Sequence, residues 1–450
     1  MKQSLKRTVL IPILTFAFIA ALGLYYFNFA VYGDKWATYP ANRHIYTNGV
    51  LTKAGVITDA NNTVLASTQD DKRVYNKDKN IRMATVHAVG DKKGYIATGI
   101  QAAYLDYLCG YDIVNGIYNI SGEGNNIELT LDSQICVTAL KALGNNSGTV
   151  GIYNYETGEI ICMVSTPTFD PESEKEPSGK GVYMNRFLSG VYAPGSIFKL
   201  VTALSALENV NDVENMRFSC SGGVTIGGEW LSCLGRHGEL GIKNALMHSC
   251  NAFFAQTALK VGRTNLTKTA QKVGFNKTLK LDGIPCAKSR YDVGKSNDID
   301  FGWSGIGQYT DLVNPYQYLT FMGGIANGGK SVTPHIVRKI TAPSGFVLKK
   351  AHTSKTTLMS GQTAEILSQM MRNNVIKNYG DSRFSGLEVC GKTGTAEVGD
   401  NATPHSWFTG FCKNPDTPYA FTIIVENAGA GNGAATRIAS TVLKRIQKNS

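Results

Sequence analysis

Three short segments of this chain carry side chains that could perform acyl transfer together: Ser196-Ile197-Phe198-Lys199, Ser249-Cys250-Asn251 and Lys392-Thr393-Gly394-Thr395. A serine hydroxyl is a poor nucleophile until a base removes its proton. Lys199 stands three residues after Ser196, a spacing that puts both side chains on one face of a helix. It can act as the base only if its pKa falls toward neutrality, which burial beside a second cation would promote. Lys392 is the candidate for that cation. Ser249 could pass a proton between Lys199 and a leaving amine, and the Asn251 amide could hold a peptide group of a substrate. Gly391 and Gly394 keep bulk off an apparent strand, so a ligand could lie against its backbone. Lys392, Thr393 and Thr395 would then face a carboxylate, with Gly394 leaving room for it. Backbone N–H groups of Ser196 and Thr395 could form an oxyanion hole, often the largest single catalytic term. Each segment also has a plainer reading: a solvated helix start, a serine or asparagine helix cap, and a glycine-weakened edge strand. Together, in this order, they supply a nucleophile, a base, a proton relay and an anion clamp.

The elements that would position these groups follow from pattern. Pro194-Gly195 precedes Ser196 and an apolar run follows Lys199, so Ser196 is predicted in the first turn of a helix, where free N–H groups and the helix dipole favour negative charge. Ser249 to Asn251 falls between helical stretches predicted over 240–248 and 252–261. Strands are predicted over 389–395, 406–412 and 420–426, with a helix over 434–448. Nearer the start, 127–131 alternates as a strand, and Ser133 is expected to cap a helix running to 143. Residues 148–154 and 160–165 then read as an antiparallel hairpin at a sheet edge, and a mostly helical middle is expected after it. Strands at both ends with helices between predict one mixed α/β layer structure closed by the C-terminal strands. Upstream, 34–125 reads as short strands and turns, with a hairpin about Asn61-Asn62 and a helix over 99–108. The polar, glycine-rich segment 121–126 places a domain boundary at 125/126.

At 450 residues the chain is too long for one ordinary core. Its 43% hydrophobic and 18% charged residues describe a globular protein and not a disordered one. The net charge of +11 comes with no arginine-rich run, which argues against nucleic acid and fits either anionic lipid or cell-wall polymer, or simply a soluble basic surface. Residues 8–33 carry no charge and are strongly apolar, long enough to cross a bilayer. Lys2, Lys6 and Arg7 before them place residues 1–7 in the cytoplasm and the remainder outside. A cleaved signal peptide is the competing reading; no small-x-small cleavage site follows the run, which favours an uncleaved anchor. Pro12 could kink its start. The nine cysteines are odd in number and their spacings fit no zinc pattern, so no metal and no cofactor is expected. Most sit in apolar contexts as buried thiols, but Cys220 and Cys233 look like a pair: either a disulfide or two neighbouring thiols.

With these residues in hand, the chain resembles the class B penicillin-binding proteins, the D,D-transpeptidases of peptidoglycan. The resemblance spans nearly the whole chain. It includes the apolar N-terminus, Gly55-x-Ile57-x-Asp59 with Leu65-Ala66, and Glu156-Thr157-Gly158-Glu159 leading to Ser165-x-Pro167-x-Phe169-Asp170-Pro171. It continues through Ala193-Pro194-Gly195-Ser196-x-Phe198-Lys199, Ile306-Gly307-Gln308, Ala326-Asn327-Gly328-Gly329 and Trp407-Phe408-x-Gly410-Phe411. It implies an antiparallel sheet packed between helices in a transpeptidase domain over 126–450. A small β-rich, non-catalytic pedestal over 34–125 and one transmembrane helix would precede it. It also implies acylation of Ser196 by D-Ala-D-Ala stem peptides and by β-lactams, and a polymerase partner of the SEDS glycosyltransferase type. Ala54 and Ala60 stand where the family commonly has arginine, and Cys250 fills a variable position with no implied role.

The same motifs serve β-lactamases and penicillin sensors. A class A β-lactamase needs a glutamate soon after the second motif, and none occurs between Ala252 and Ala364. A sensor would need an intracellular output part, and seven residues precede the apolar run. A D,D-carboxypeptidase differs only in giving the acyl group to water. A non-catalytic scaffold is disfavoured by the intact Ser196, Lys199, Ser249, Asn251 and Lys392.

Overall fold

The computed structural model describes residues 2–39, 42–47, 50–51, 53–117, 123–396, 403–429 and 433–448, with side chains of 2–7, 47 and 50 excepted. The chain opens on α1 (Lys2–Ala37), which runs through Pro12 without interruption. Its apolar side chains, among them Leu10, Ile11, Phe16 and Phe18, point outward. Residues 8–37 form the one helix among those described that is long and apolar enough to cross a bilayer.

A six-stranded sheet follows. β1 (Ile57–Thr58), β2 (Val64–Gln69) and β3 (Lys72–Tyr75) form a meander in which Asn62 takes the left-handed conformation (φ 62°) that the tight turn needs. The helix expected over 99–108 is present as two short turns, Ile100–Ala103 and Leu105–Leu108. β4 (Asn126–Leu129) then pairs parallel to β1. Two strands from much later in the chain, β9 (Val337–Thr341) and β10 (Val347–Lys350), complete the order β10-β9-β4-β1-β2-β3. This sheet therefore draws on both sides of position 125/126. Ser121 and Gly122 of the expected break lie outside the described residues.

α3 (Ser133–Leu143), like α2 (Lys79–Val89) before it, starts on an aspartate. Asp132 accepts from the N–H groups of Gln134 and Ile135 at 2.8 and 2.9 Å, so Asp132 and not Ser133 is the cap. The Ser133 hydroxyl is buried without a partner.

The rest of the chain is built on a second, five-stranded antiparallel sheet. β5 (Gly148–Asn154) and β6 (Ile160–Thr166) come early; β11 (Val389–Ala396), β12 (His405–Cys412) and β13 (Tyr419–Val425) come late. The order β11-β12-β13-β5-β6 closes the layer as the pattern predicts. Every residue of β12 is buried, as expected of a strand covered on both faces. α9 (Pro315–Ala326) packs on β5, β12 and β13, while α3 and α11 (Ala434–Gln447) pack on each other and on the sheet. Between the two halves of the sheet lie α4 (Lys199–Asn209), α5 (Ile242–Met247), α6 (Asn251–Val261), α7 (Arg263–Lys272), α8 (Asp298–Ser304) and α10 (Gly361–Asn374). The middle is not purely helical. β7 (Phe218–Ile226) and β8 (Glu229–Leu240) form a long two-stranded hairpin joined at Gly227 and Gly228, whose φ values of 59° and 89° suit a tight primed turn.

Candidate active site

The three motifs converge where the N-terminus of α4, the start of α6 and the edge strand β11 meet. Ser196 sits in a 3₁₀ turn, Gly195–Ile197, that feeds directly into α4. The predicted helix start is thus a tighter turn set one step ahead of the α-helix. Gly195 is required there. Its φ is 54°, and a Cβ would lie 2.1 Å from the Thr395 carbonyl oxygen. The Gly195 N–H donates to Gly307 O at 2.8 Å, and Tyr318 Oη donates to Ile197 O at 2.6 Å, so the Ser196 turn is pinned from two sides. The Trp407 indole N–H donates to Ala193 O at 3.0 Å from the neighbouring strand.

Lys199 is fully buried. Its Nζ lies 2.9 Å from Ser196 Oγ, 2.6 Å from Ser249 O, 3.1 Å from Ser249 Oγ and 2.7 Å from Asn251 Oδ1. The Asn251 amide is oriented by the hairpin, because its Nδ2 donates to Ser232 O at 3.1 Å. A carbonyl can only accept, so Oδ1 is left to face the lysine. Burial, reinforced by the Lys392 charge, pulls the Lys199 amine well below the usual lysine range.

Lys392 is equally buried, and burial pulls it down to about 7. Its Nζ donates to Thr393 O at 2.8 Å and reaches Ser249 Oγ at 3.1 Å. Ser249 Oγ thus stands between the two amines. Ser249 itself holds φ 52°, a conformation non-glycine residues seldom adopt and one that marks a constrained loop. An open cleft of about 250 Å³ runs past this cluster, lined by Ser196, Ser249, Asn251, Thr393, Thr395 and, on the far wall, Ser232, Leu234, Trp303 and Gln308. Thr393 and Thr395 project into it, while Lys392 and Gly394 alternate behind them. Lys392 acts on the cleft through Ser249 and the backbone of Thr393.

Sequence reasoning missed Tyr379, whose hydroxyl receives both the N–H and the Oγ1 of Thr393 at 3.3 and 3.1 Å. It also missed that neither Ser249 nor Asn251 caps α6: Cys250 does, its sulfur accepting from Phe253 N at 3.4 Å. Cys220 and Cys233 are neighbours as expected but are free thiols, not joined. With Cys250 and His237 they form a compact group whose donor atoms all lie within 4.8 Å of one another. The pairing of its sulfur with Cys250 Sγ at 3.8 Å, helped by the N–H groups of Ala252, Asn251 and Gly235, holds Cys233 below the usual thiol range. The same pairing, with burial, raises Cys250.

A paired lysine system beside a serine at a helix start is an arrangement that could carry out acyl transfer. Residues 148–444 match the family described as "Penicillin binding protein transpeptidase domain". The chain belongs to that family, on the class B branch, and is a D,D-transpeptidase of peptidoglycan synthesis. It is 25% identical over 373 residues to the peptidoglycan D,D-transpeptidase PbpA of Mycolicibacterium smegmatis, covering 75% of this chain and 76% of that protein. It is also 25% identical to stage V sporulation protein D of Bacillus subtilis, covering 74% of this chain and 54% of that one. In fold it is similar to penicillin-binding protein A of Mycobacterium tuberculosis, solved as a penicillin G acyl-enzyme complex. The TM-score is 0.78 at 22% identity, over 88% of this chain and 99% of that one.

Proposed function

We propose that Ser196 is the acylated nucleophile of this transpeptidase and that Lys199 is its general base. The observation that carries this is the environment of Lys199 Nζ: two obligate acceptors, Ser249 O at 2.6 Å and Asn251 Oδ1 at 2.7 Å, beside Ser196 Oγ at 2.9 Å. A neutral amine has two hydrogens and one lone pair. The two acceptors take both hydrogens, which leaves the lone pair for the Ser196 hydroxyl. Ser196 then attacks the carbonyl carbon between the two D-Ala residues of a stem peptide, and its proton passes to Lys199. Backbone N–H groups of Ser196 and Thr395 stabilise the developing oxyanion. Ser249, within reach of both lysines, hands the proton to the leaving D-Ala nitrogen as the C–N bond breaks. An acceptor amine on a second stem peptide next attacks the ester, gives up its proton by the same route and frees Ser196. Asn251 holds the peptide group. Thr393 and Thr395 hold the terminal carboxylate beside Gly394, with the Lys392 charge behind them. A β-lactam enters by the same first step and stays as the ester, as the penicillin G complex of the mycobacterial neighbour illustrates for that protein.

On this reading α1 anchors the chain with residues 1–7 in the cytoplasm and the catalytic body outside. Residues 34–125 form a non-catalytic pedestal for the transpeptidase domain, 126–450. A SEDS-type glycosyltransferase is the proposed membrane partner, supplying the glycan strands to be cross-linked. The test is intact-mass spectrometry of the full chain in detergent after penicillin treatment. One adduct on the wild type and none on Ser196→Ala is expected. An adduct that survives the substitution overturns the assignment.

A further inference from the structure

We propose that Cys220, Cys233, His237 and Cys250 bind one zinc-type divalent cation in a closed tetrahedral site that ties the β7–β8 hairpin to the second motif. The donor atoms already have the spacing of such a shell. In a tetrahedron with Zn–S of about 2.3 Å and Zn–N of about 2.0–2.1 Å, two sulfurs stand about 3.8 Å apart and a sulfur and a nitrogen about 3.6 Å. Cys233 Sγ lies 3.8 Å from Cys250 Sγ, and His237 Nδ1 lies 3.5 Å from Cys220 Sγ and 3.6 Å from Cys233 Sγ. A disulfide would need its sulfurs at about 2.05 Å.

The backbone is shaped to gather these donors. β8 carries two irregularities against β7, one spanning residues 233–235 and one at residue 237. Cys220 is the cross-strand partner of Gly238. In an unbroken ladder residue 237 would face away from Cys220, since successive side chains alternate. The extra residue at 237 turns its ring to the side where Cys220 and Cys233 stand, which is a recurrent use of a β-bulge. The thiols are oriented in turn: Asn251 N–H donates to Cys233 Sγ at 3.2 Å and Phe253 N–H to Cys250 Sγ at 3.4 Å. Ligands held by such outer hydrogen bonds are a common feature of metal sites.

Four protein donors leave no open position, so the ion would be structural and not a Lewis acid for the reaction. Three thiolates, a neutral imidazole and a dication sum to one negative charge, next to the buried amines of Lys199 and Lys392. Thiolate and imidazole donors together select zinc over magnesium or calcium. Cys250 lies between Ser249 and Asn251. An ion there would fix the loop from which both of those residues reach Lys199.

The test is independent of acylation. The reduced full chain in detergent is incubated with zinc, freed of excess and analysed for metal. About one equivalent is expected on the wild type and less than a tenth on a Cys220→Ser, His237→Ala double variant. Cadmium added to the wild type should produce thiolate-to-metal charge-transfer absorption that saturates at one equivalent, an arm that needs no variant to fold. No retained zinc and no charge-transfer band overturns the proposal. So does zinc that survives the double substitution, or a Cys220–Cys233 disulfide in non-reducing peptide maps of protein exported by its own cell.

Discussion

The lysine cluster and the thiol cluster share the loop Ser249-Cys250-Asn251, yet they are built in opposite ways. Ser196, Lys199 and Lys392 stand on a buried turn, a buried helix and a buried stretch of the edge strand β11, each held by backbone contacts that leave little freedom. Cys220, Cys233 and His237 stand on a hairpin whose other side chains are largely exposed: Trp230 is 55% accessible and Leu234 84%. The groups of the lysine cluster therefore take their geometry from the fold. The thiols take theirs from two irregularities in a two-stranded ribbon, a structure with marginal stability of its own. Burial does the electrostatic work in the first cluster by suppressing the charge on two amines, and a cross-link is the natural way to stiffen the second.

The sharpest break in this comparison is Lys199→Ala. Removing the base from a preformed serine should lower the rate of β-lactam acylation by about 10²–10⁴-fold, the usual value of general-base assistance. Stopped-flow labelling with a fluorescent penicillin measures it, with circular dichroism to confirm the fold. An unchanged rate would remove Lys199 from the mechanism and leave the serine to some other base.

How much of this was legible in the sequence follows the same division. The candidate catalytic residues sit in short contiguous motifs, so the chain order alone brought Ser196, Lys199, Ser249, Asn251 and Lys392 into view, and the structure gathers them about two amines that share Ser249 Oγ. The strands 160–165 and 420–426 were readable because their sheet is two-sided and buried, giving dense apolar runs such as Ile160-Ile161-Cys162-Met163-Val164. The hairpin at 218–240 was not, since its glycines and polar residues carry no clear period, and its cysteines are recognisable as a group only after the bulges bring them together. The pairing of β9 with β4 was hidden for another reason: it joins residues about two hundred positions apart. Asp132 displaced Ser133 as a cap because both are good caps and only the local backbone chooses between them.

A second prediction probes the cost of the buried amines. Lys392 is held at about 7 by burial, against about 10.4 in an unfolded chain. Between these values the unfolded state binds the extra proton, so stability should rise with pH from about 7 and level off near 10. The gain from pH 7 to pH 9 should be about 2 kcal/mol larger in the wild type than in Lys392→Met. Denaturation midpoints of both proteins at the two pH values measure the difference. An equal pH response in the two proteins over this range would mean that Lys392 stays charged in the folded state, and would overturn the depressed value.

The smallest expected effect sharpens the other side of the comparison. Leu234 follows Cys233, stands 84% exposed and lines the same cleft as Thr393 and Thr395. If the hairpin is held by the group at Cys220, Cys233, His237 and Cys250 and not by its own apolar surface, Leu234→Ser costs almost nothing. The denaturation midpoint should then correspond to a change within about 0.5 kcal/mol, the ordinary range for surface substitutions. A loss of 1 kcal/mol or more would show that the hairpin is packed through this side chain in solution. The ribbon would then owe its shape to burial, as the lysine cluster does, and the contrast between the two regions would fail at that point.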